Sequence, residues 1–430
     1  MRMRILALVA GIEGKTRYGA LRGGTMKQPT DSQRTSLVSV LVMAIGLFGS
    51  GVAAAQCEVS ADVDITALYN AVYSTDNKGR PLCRTVTAAP GIYVLDPGNA
   101  SAQNDGRLVL QNGQSLEGSG DALFDLDDRL IGFVGGSETV IDASLLTPPA
   151  VGFPSVVELG KNGNLSDLTV CGSRIGPGVG IASQGTVERV IVEDMDASPD
   201  PNGTGFIVVA STDLGDAQVT ISQSISRQNE TGFLVASEGG VSAQVALVKN
   251  RFEDNKQSGI IGFGSSNATI HIRSSDNLIQ RNNFGVGGNA FGVLGADAGN
   301  GRIILDSKRD VVVNNFRRAL LAIGSGLDGG SGNEVEITFI DTFIDNNGGL
   351  GEILAFGALN GGDNNTVKLH FNRVGPAGKT LTLFLADEVG GGTGNSVKIV
   401  GNTTSIEMVN PADFENLFIP LSEFTLGQND

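Results

Sequence analysis

Short apolar runs return at nearly fixed intervals through the second half of the chain: GFIVVAS (205–211), GFLVAS (232–237), GIIGFG (259–264), GVLGAD (292–297), ALLAIG (319–324) and EILAFG (352–357). Between them lie stretches that alternate apolar and polar residues: AQVTIS (217–222), AQVALV (243–248), ATIHIR (268–273), GRIILD (301–306) and NEVEITF (333–339). Alternation with period two predicts strands with one buried face, and the Gly, Asn, Asp and Ser between them predict turns. No helical period of the length a βαβ crossover needs separates these strands.

A polar motif punctuates each unit: Asn or Asp, an apolar residue two places on, and Asn three places after that. It stands at Asn250-Phe252-Asn255, Asn277-Ile279-Asn282, Asp310-Val312-Asn315 and Asp341-Phe343-Asn346, with copies beginning 27, 33 and 31 residues apart. A unit this short cannot bury its own apolar face, so copies must stack. Stacked strands of one sense make a parallel β-helix, here with three strands and three turns per coil of 27–33 residues. Asn recurring at one turn position stacks on Asn of the next coil and passes hydrogen bonds along a ladder, and Asn also tolerates the left-handed backbone of tight turns. Asn255, Asn282, Asn315 and Asn346 are therefore read as structural.

The ends of such a stack need closing. Residues 61–73, ADVDITALYNAVY, place Ile65, Leu68, Tyr69 and Val72 on one helical face, as an N-terminal capping helix would. PADFENLFIP (411–420) is the corresponding candidate at the far end. The expected layout is a cap over 56–84, one β-helix domain over 85–405 and a C-terminal cap or tail over 406–430.

Ahead of the repeat, SLVSVLVMAIGLFGS (36–50) follows Lys27 and Arg34 and precedes the small-residue stretch GVAAAQ (51–56). This pattern predicts a signal peptide starting at Met26 and cleaved after Ala55, which implies export from a bacterial cell to the periplasm, surface or medium, with no membrane span in the mature chain. Residues 1–55 hold seven of the 30 basic and two of the 46 acidic residues, so the remainder carries 23 against 44, a formal charge of −21. That surface repels nucleic acid, and no basic run or aromatic-basic interleaving offers it a foothold. Gly accounts for 61 of 430 residues and Trp is absent, in keeping with a core of small and aliphatic side chains. Of the three cysteines, Cys57 and Cys83 flank one N-terminal segment and suit a disulfide, whereas Cys171 reads as a small apolar residue.

TVTAAPGIYVLD (85–96), RLVLQNGQSLEGSGD (107–121) and ETVIDAS (138–144) look like opening coils of the pectin-lyase-like superfamily, and with the repeats above the resemblance covers residues 60–405. It implies an all-β, single-domain, right-handed parallel β-helix and a polysaccharide or other glycan partner. It does not imply one activity, because that superfamily spans lyases, hydrolases, esterases, epimerases and non-catalytic surface proteins. The Asp cluster, Gly-His-Gly and Arg-x-Lys of polygalacturonases do not occur here. The Arg-Pro-Trp of pectin esterases and the Arg-x-Pro-x-x-Arg of calcium pectate lyases are missing too. The expectation is a glycan-associated protein without evident catalysis; the alternative is a polysaccharide lyase or another carbohydrate-active enzyme.

Aligning the repeats puts Arg273 and Asp306 at one offset, and Ser275 and Lys308 at another, with Asp276, Arg309 and Asp310 beside them. One reading is a solvated ion pair across neighbouring strands. The other is a glycan-binding patch of Arg273, Asp306, Lys308 and Arg309, in which Arg273 or Lys308 neutralises a uronate while His271 moves a proton. The turns LGD (214–216), DGGSGN (328–333) and GGDNN (361–365) are oxygen-rich enough for calcium, although none spells a known calcium loop, and ordinary turn chemistry accounts for them. No cofactor fingerprint, Cys/His metal spacing or nucleophile triad is present, so no metal ligands are assigned.

Overall fold

In the computed structural model the alternating stretches form strands at Ala217–Ser222, Ser242–Val248, Thr269–Ser275, Arg302–Lys308, Glu334–Ile340 and Thr366–Asn372, each paired in parallel with the next. The structure describes residues 55–409 apart from 61–63, 148–153, 197–202, 266, 283–288, 297–298, 326–329, 349–351, 359–361, 376–380, 389–391 and 401–405. The expected signal peptide and the tail 411–420 lie outside the described residues. A short strand follows each of the first five long strands, for example Leu278–Gln280 after Thr269–Ser275, and long and short strands together build a 19-stranded sheet. The Gly-led runs form the third strand of each coil and stack into a second, 11-stranded parallel sheet. The result is the all-β parallel β-helix expected from the repeat.

The corner between long and short strands explains the motif. Lys249, Asp276, Arg309 and Asp341 sit in the left-handed region with φ of 53° to 59°, and the residue after each, Asn250, Asn277, Asp310 or Thr342, points into the coil and is buried. A second left-handed residue ends each short strand, namely Asp254, Arg281, Asn314 and Asn346, and is followed by inward Asn255, Asn282, Asn315 and Asn347. The left-handed backbone thus belongs to the residue before the ladder Asn and not to the Asn itself. A non-glycine residue there costs about 1–2 kcal/mol. Paired side chains help to offset that cost, because these corner residues stack as Asp276 with Arg309, Asp254 with Arg281 and Asp341 with Arg373.

The fourth motif copy is displaced by one residue from the sequence reading. Val312 pairs with Ile344 and not with Phe343, so the true copy is Thr342-Ile344-Asn347; Phe343 is exposed, and Asn346 takes the left-handed corner. Aligning Asp341 with Asp310 misled because a Thr hydroxyl fills the inward polar position equally well: Thr342 Oγ1 lies 3.2 Å from Ser307 Oγ.

Three ladders run along the solenoid. In the first, the backbone N–H groups of Ser224, Asn250 and Asn277 donate to the side chains of Asn250, Asn277 and Asp310 at 2.9, 2.7 and 2.8 Å. In the second, Met195, Asn229, Asn255, Asn282 and Asn315 each donate to the Oδ1 of the following Asn, ending at Asn347. The third was not anticipated and links Gly301, Asn333, Asn365 and Asn395 at 2.8 to 3.0 Å. The glycine opening the second-sheet run makes room for these amides: a Cβ on Gly232 would lie 2.9 Å from Asn255 Nδ2 and 2.5 Å from the Gly259 carbonyl.

Inside, Phe233, Phe252, Phe291, Phe339 and Phe371 fill the core with aliphatic residues, and the rings of Phe339 and Phe371 stack at 5.9 Å. The capping helix forms over Ile65–Tyr73, with Asp64 accepting from the Thr66 N–H and Leu68, Tyr69 and Val72 buried against the first coils. Gln56–Val59 pairs with Thr85–Ala88, so the segment assigned to the cap also supplies the first strand of the sheet. Cys57 and Cys83 form a disulfide with their Cα atoms 5.5 Å apart. Cys171 is a half-buried free thiol whose pKa is pushed up to about 12 by burial and then by nearby Asp142 and Glu193. One antiparallel excursion, Ala122–Phe124 with Leu130–Phe133, leaves the early coils and lies along the flank, where Arg129 Nε donates to the Asp276 carbonyl at 2.7 Å. No helix among the described residues is long and apolar enough to cross a membrane.

Candidate functional site

Every second residue of the long strands faces outward, and register brings the sequence candidates His271, Arg273, Asp306 and Lys308 together on two of them, Thr269–Ser275 and Arg302–Lys308. Arg273 lies opposite Asp306, and Ser275 opposite Lys308. The expected Arg273–Asp306 ion pair does not form. Asp306 reaches diagonally to His271, whose Nε2 stands 2.7 Å from Asp306 Oδ2, a neighbour within reach across a strand pair. Arg273 and Lys308 are exposed and make no ion pair among the described residues. Arg309 is separated from this group, because it occupies the left-handed corner and grips Asp276 through two bonds of 2.7 and 2.6 Å. That bond raises the Arg309 pKa above its ordinary value and leaves the guanidinium engaged. Asp310, next in sequence, points into the core.

The same face continues through residues that the sequence reading did not single out. Arg302 contacts Glu334 at 3.2 Å and Glu336 at 3.1 Å; Lys368 bonds Glu334, and His370 lies 3.7 Å from Glu336. The Lys368 bond, with Arg302 adding attraction, holds the Glu334 carboxyl below its usual range. Extending the Arg273/Asp306 alignment by two more repeats, to 334–340 and 366–372, would have found Glu334, Glu336, Lys368 and His370, while Arg302 lies at the start of the strand that already carries Asp306. Within this network Arg302 and Lys368 each meet a carboxylate, and Arg273 and Lys308 are the cations of the face left without an ion pair among the described residues, although Lys308 adds to the pull by which Arg373 chiefly holds the Asp341 carboxyl below its usual range.

This arrangement can present fixed donors and cations to a chain lying across the strands. The His271–Asp306 pair has the geometry in which a carboxylate orients an imidazole. Among the described residues no group of three or more His, Cys, Asp or Glu converges as a metal site. The oxygen-rich turns are occupied by structural bonds: Asn333 and Asn365 are ladder rungs, Asp363 accepts from the Thr393 N–H at 2.7 Å, and Asp216 accepts from the Ser242 N–H at 2.8 Å.

No known family profile matches the sequence, and no curated protein does. Among solved structures the chain is similar to the A-module of mannuronan C-5 epimerase AlgE6 from Azotobacter vinelandii, at TM-score 0.41 and 16% identity over 76% of this chain and 91% of that one. It is similar to endopolygalacturonase I of Stereum purpureum, at 0.41 and 16% over 75% and 95%, and to DFA-IIIase of Arthrobacter chlorophenolicus A6, at 0.41 and 14% over 80% and 86%. Likeness at this level assigns no residue a role. By its own strand pairing, the chain is a parallel β-helix protein with the all-β coil architecture that resemblance to the pectin-lyase-like superfamily implies.

Proposed function

We propose that this is an exported β-helix protein that binds a glycan along the outward face of its long strands, between Thr269–Ser275 and Thr366–Asn372, without turning it over. The observation that supports this reading is the pair of exposed cations, Arg273 and Lys308, on adjacent strands, neither of which makes an ion pair among the described residues. On a chain with formal charge −16 over its full length, two exposed cations without an ion pair are a local exception, suited to a carboxylate-bearing sugar. Binding of purified protein to a panel of uronate-containing and neutral polysaccharides tests it. Replacing Arg273 and Lys308 together with Ala should weaken binding at least tenfold, whereas Arg309→Ala, which removes a cation already held by Asp276, should not.

The His271–Asp306 contact favours a second reading, in which the same face acts as a lyase: His271 takes the proton alpha to a uronate carboxylate that Arg273 neutralises. Ultraviolet absorbance from an unsaturated product would establish that reading and refute binding without turnover. Silence across the panel, with binding retained, refutes the lyase.

A further inference from the structure

One column of outward residues on the short strands is covered at its near end and bare at its far end. Strand register runs it through Ile191, Ile225, Arg251, Leu278, Val311 and Phe343. Ile191 and Ile225 are buried because Leu130 of the antiparallel hairpin packs on them, with Ala122 and Phe133 alongside. The tip of the hairpin stops at the corner before Leu278, where Arg129 Nε donates to the Asp276 carbonyl, and Gln223 and Lys249 hold Asp128 beside it. Arg251, at the junction, is engaged with Glu253. Beyond it Leu278 and Val311 are half-buried, Phe343 is exposed, and Phe316, just past the strand Val311–Val313, is 67% exposed. The column is thus apolar on both sides of Arg251 and roofed on one side only.

The hairpin has a second apolar side. Leu123, Ile131 and Val134 are 42–44% exposed, and Leu126 at the turn is fully exposed. Apolar side chains gathered on one exposed ribbon mark a contact surface. What this column accepts is visible at Ile191 and Ile225: an antiparallel ribbon with an apolar side. A second copy supplies one. Two copies related by a twofold axis across the short-strand face, with their solenoids antiparallel, set the hairpin of each over the bare strip of the other, so one contact is made twice. Step meets recess in this arrangement, because each hairpin stands one layer above its own coils, next to the strip that lacks that layer. Charge decides against stacking hairpin on hairpin. The hairpin holds Asp121, Asp125, Asp127 and Asp128 against Arg129 alone, and two such ribbons would repel. Around the strip, Arg309, Arg317 and Arg373 balance Asp276, Asp341 and Asp345, so an acidic ribbon meets no net charge there.

We infer that the protein forms a twofold dimer in which the outer side of the hairpin, Leu123, Leu126, Ile131 and Val134, docks on Leu278, Val311, Phe316 and Phe343 of a second copy. The inference is independent of the glycan reading, which concerns the long-strand face. Purified protein should sediment as a dimer, and Ile131→Asp and Phe343→Asp should each weaken dimerisation at least tenfold. Both positions are exposed, so the far-ultraviolet circular dichroism of both variants should match wild type. A mixed dimer of the two variants keeps one intact contact, wild-type hairpin on wild-type strip, so their mixture should associate more tightly than either variant alone. Ile131→Cys mixed with Phe343→Cys should give an oxidised cross-link between chains, whereas Ile131→Cys by itself should give none. A wild-type monomer at every concentration, a dimer that neither Asp variant weakens, a mixture no tighter than its components, or a cross-link of Ile131→Cys to its own copy overturns the inference.

Discussion

Asp310 occupies a ladder position where the preceding coils carry Asn250 and Asn277, and it is fully buried. Its Oδ1 accepts from the Asn277 N–H at 2.8 Å and from Asn277 Nδ2 at 3.1 Å, and its Oδ2 accepts from Ser307 Oγ at 2.7 Å. Ser274 and Ser307 stand in a column that holds Leu247 and Phe339 in the flanking coils, so two serines surround one carboxyl inside an apolar core. Burial still outweighs these hydrogen bonds and pushes the Asp310 pKa from 3.8 up to about 6. A folded pKa above the unfolded one means that the folded state binds the proton more tightly. Stability from this group is therefore greatest below about pH 4, falls as pH rises toward 6, and stays low above it. A rise of about two units corresponds to about 3 kcal/mol at neutral pH. Asp310→Asn keeps both acceptor bonds from Asn277, while its amide N–H groups face hydroxyls that can accept as well as donate. The variant should gain about 2–3 kcal/mol over wild type at pH 7 and close to nothing at pH 4, read as the difference between urea midpoints across that range. A difference that is the same at both pH values, or a loss at pH 7, would refute the account of a buried charge in the ladder.

Replacing Asn282 with Ala strands the Asn255 N–H and removes the amide bonds to the Phe252 carbonyl and Asn315 Oδ1, the latter still accepting from the backbone N–H of residue 282, and should cost about 1–3 kcal/mol in urea melts, against under about 0.5 kcal/mol for Lys308→Ala; equal shifts would place the ladder wrongly. Gly232→Ala drives a Cβ to 2.5 Å from the Gly259 carbonyl and should lower stability by about 1–3 kcal/mol, whereas Gly264→Ala, whose nearest neighbour is 3.6 Å away, should be nearly neutral. Reduction of Cys57–Cys83, which links residues 26 apart, should cost about 3 kcal/mol by denaturant midpoint with and without reductant. No change would mean that this segment adds nothing to the folded core.

The repeat pattern alone was enough to set the class of fold. Alternation in AQVALV or ATIHIR specifies which side of a strand is buried, and a spacing near 30 residues leaves stacking as the means of burying it. It also placed the capping helix, whose apolar positions need only local periodicity, and the neighbours Arg273 and Asp306, because counting within a repeat is counting within a coil. What it left open depends on exchangeable chemistry. Thr342 and Asp310 fill the inward position as well as Asn does, so polarity alone mis-set the fourth copy by one residue. The ladder through Asn333, Asn365 and Asn395 was hidden because Gly-rich turns look alike whether their Asn faces in or out. Tertiary structure alone decided the pairing on the candidate face. Strand register brings Arg273 and Asp306 opposite one another, but side-chain reach and competition give Asp306 to His271, Asp276 to Arg309 and Glu334 to Lys368. The unpaired charge that remains at Arg273 and Lys308 is a property of all those choices together, and no linear spacing encodes it.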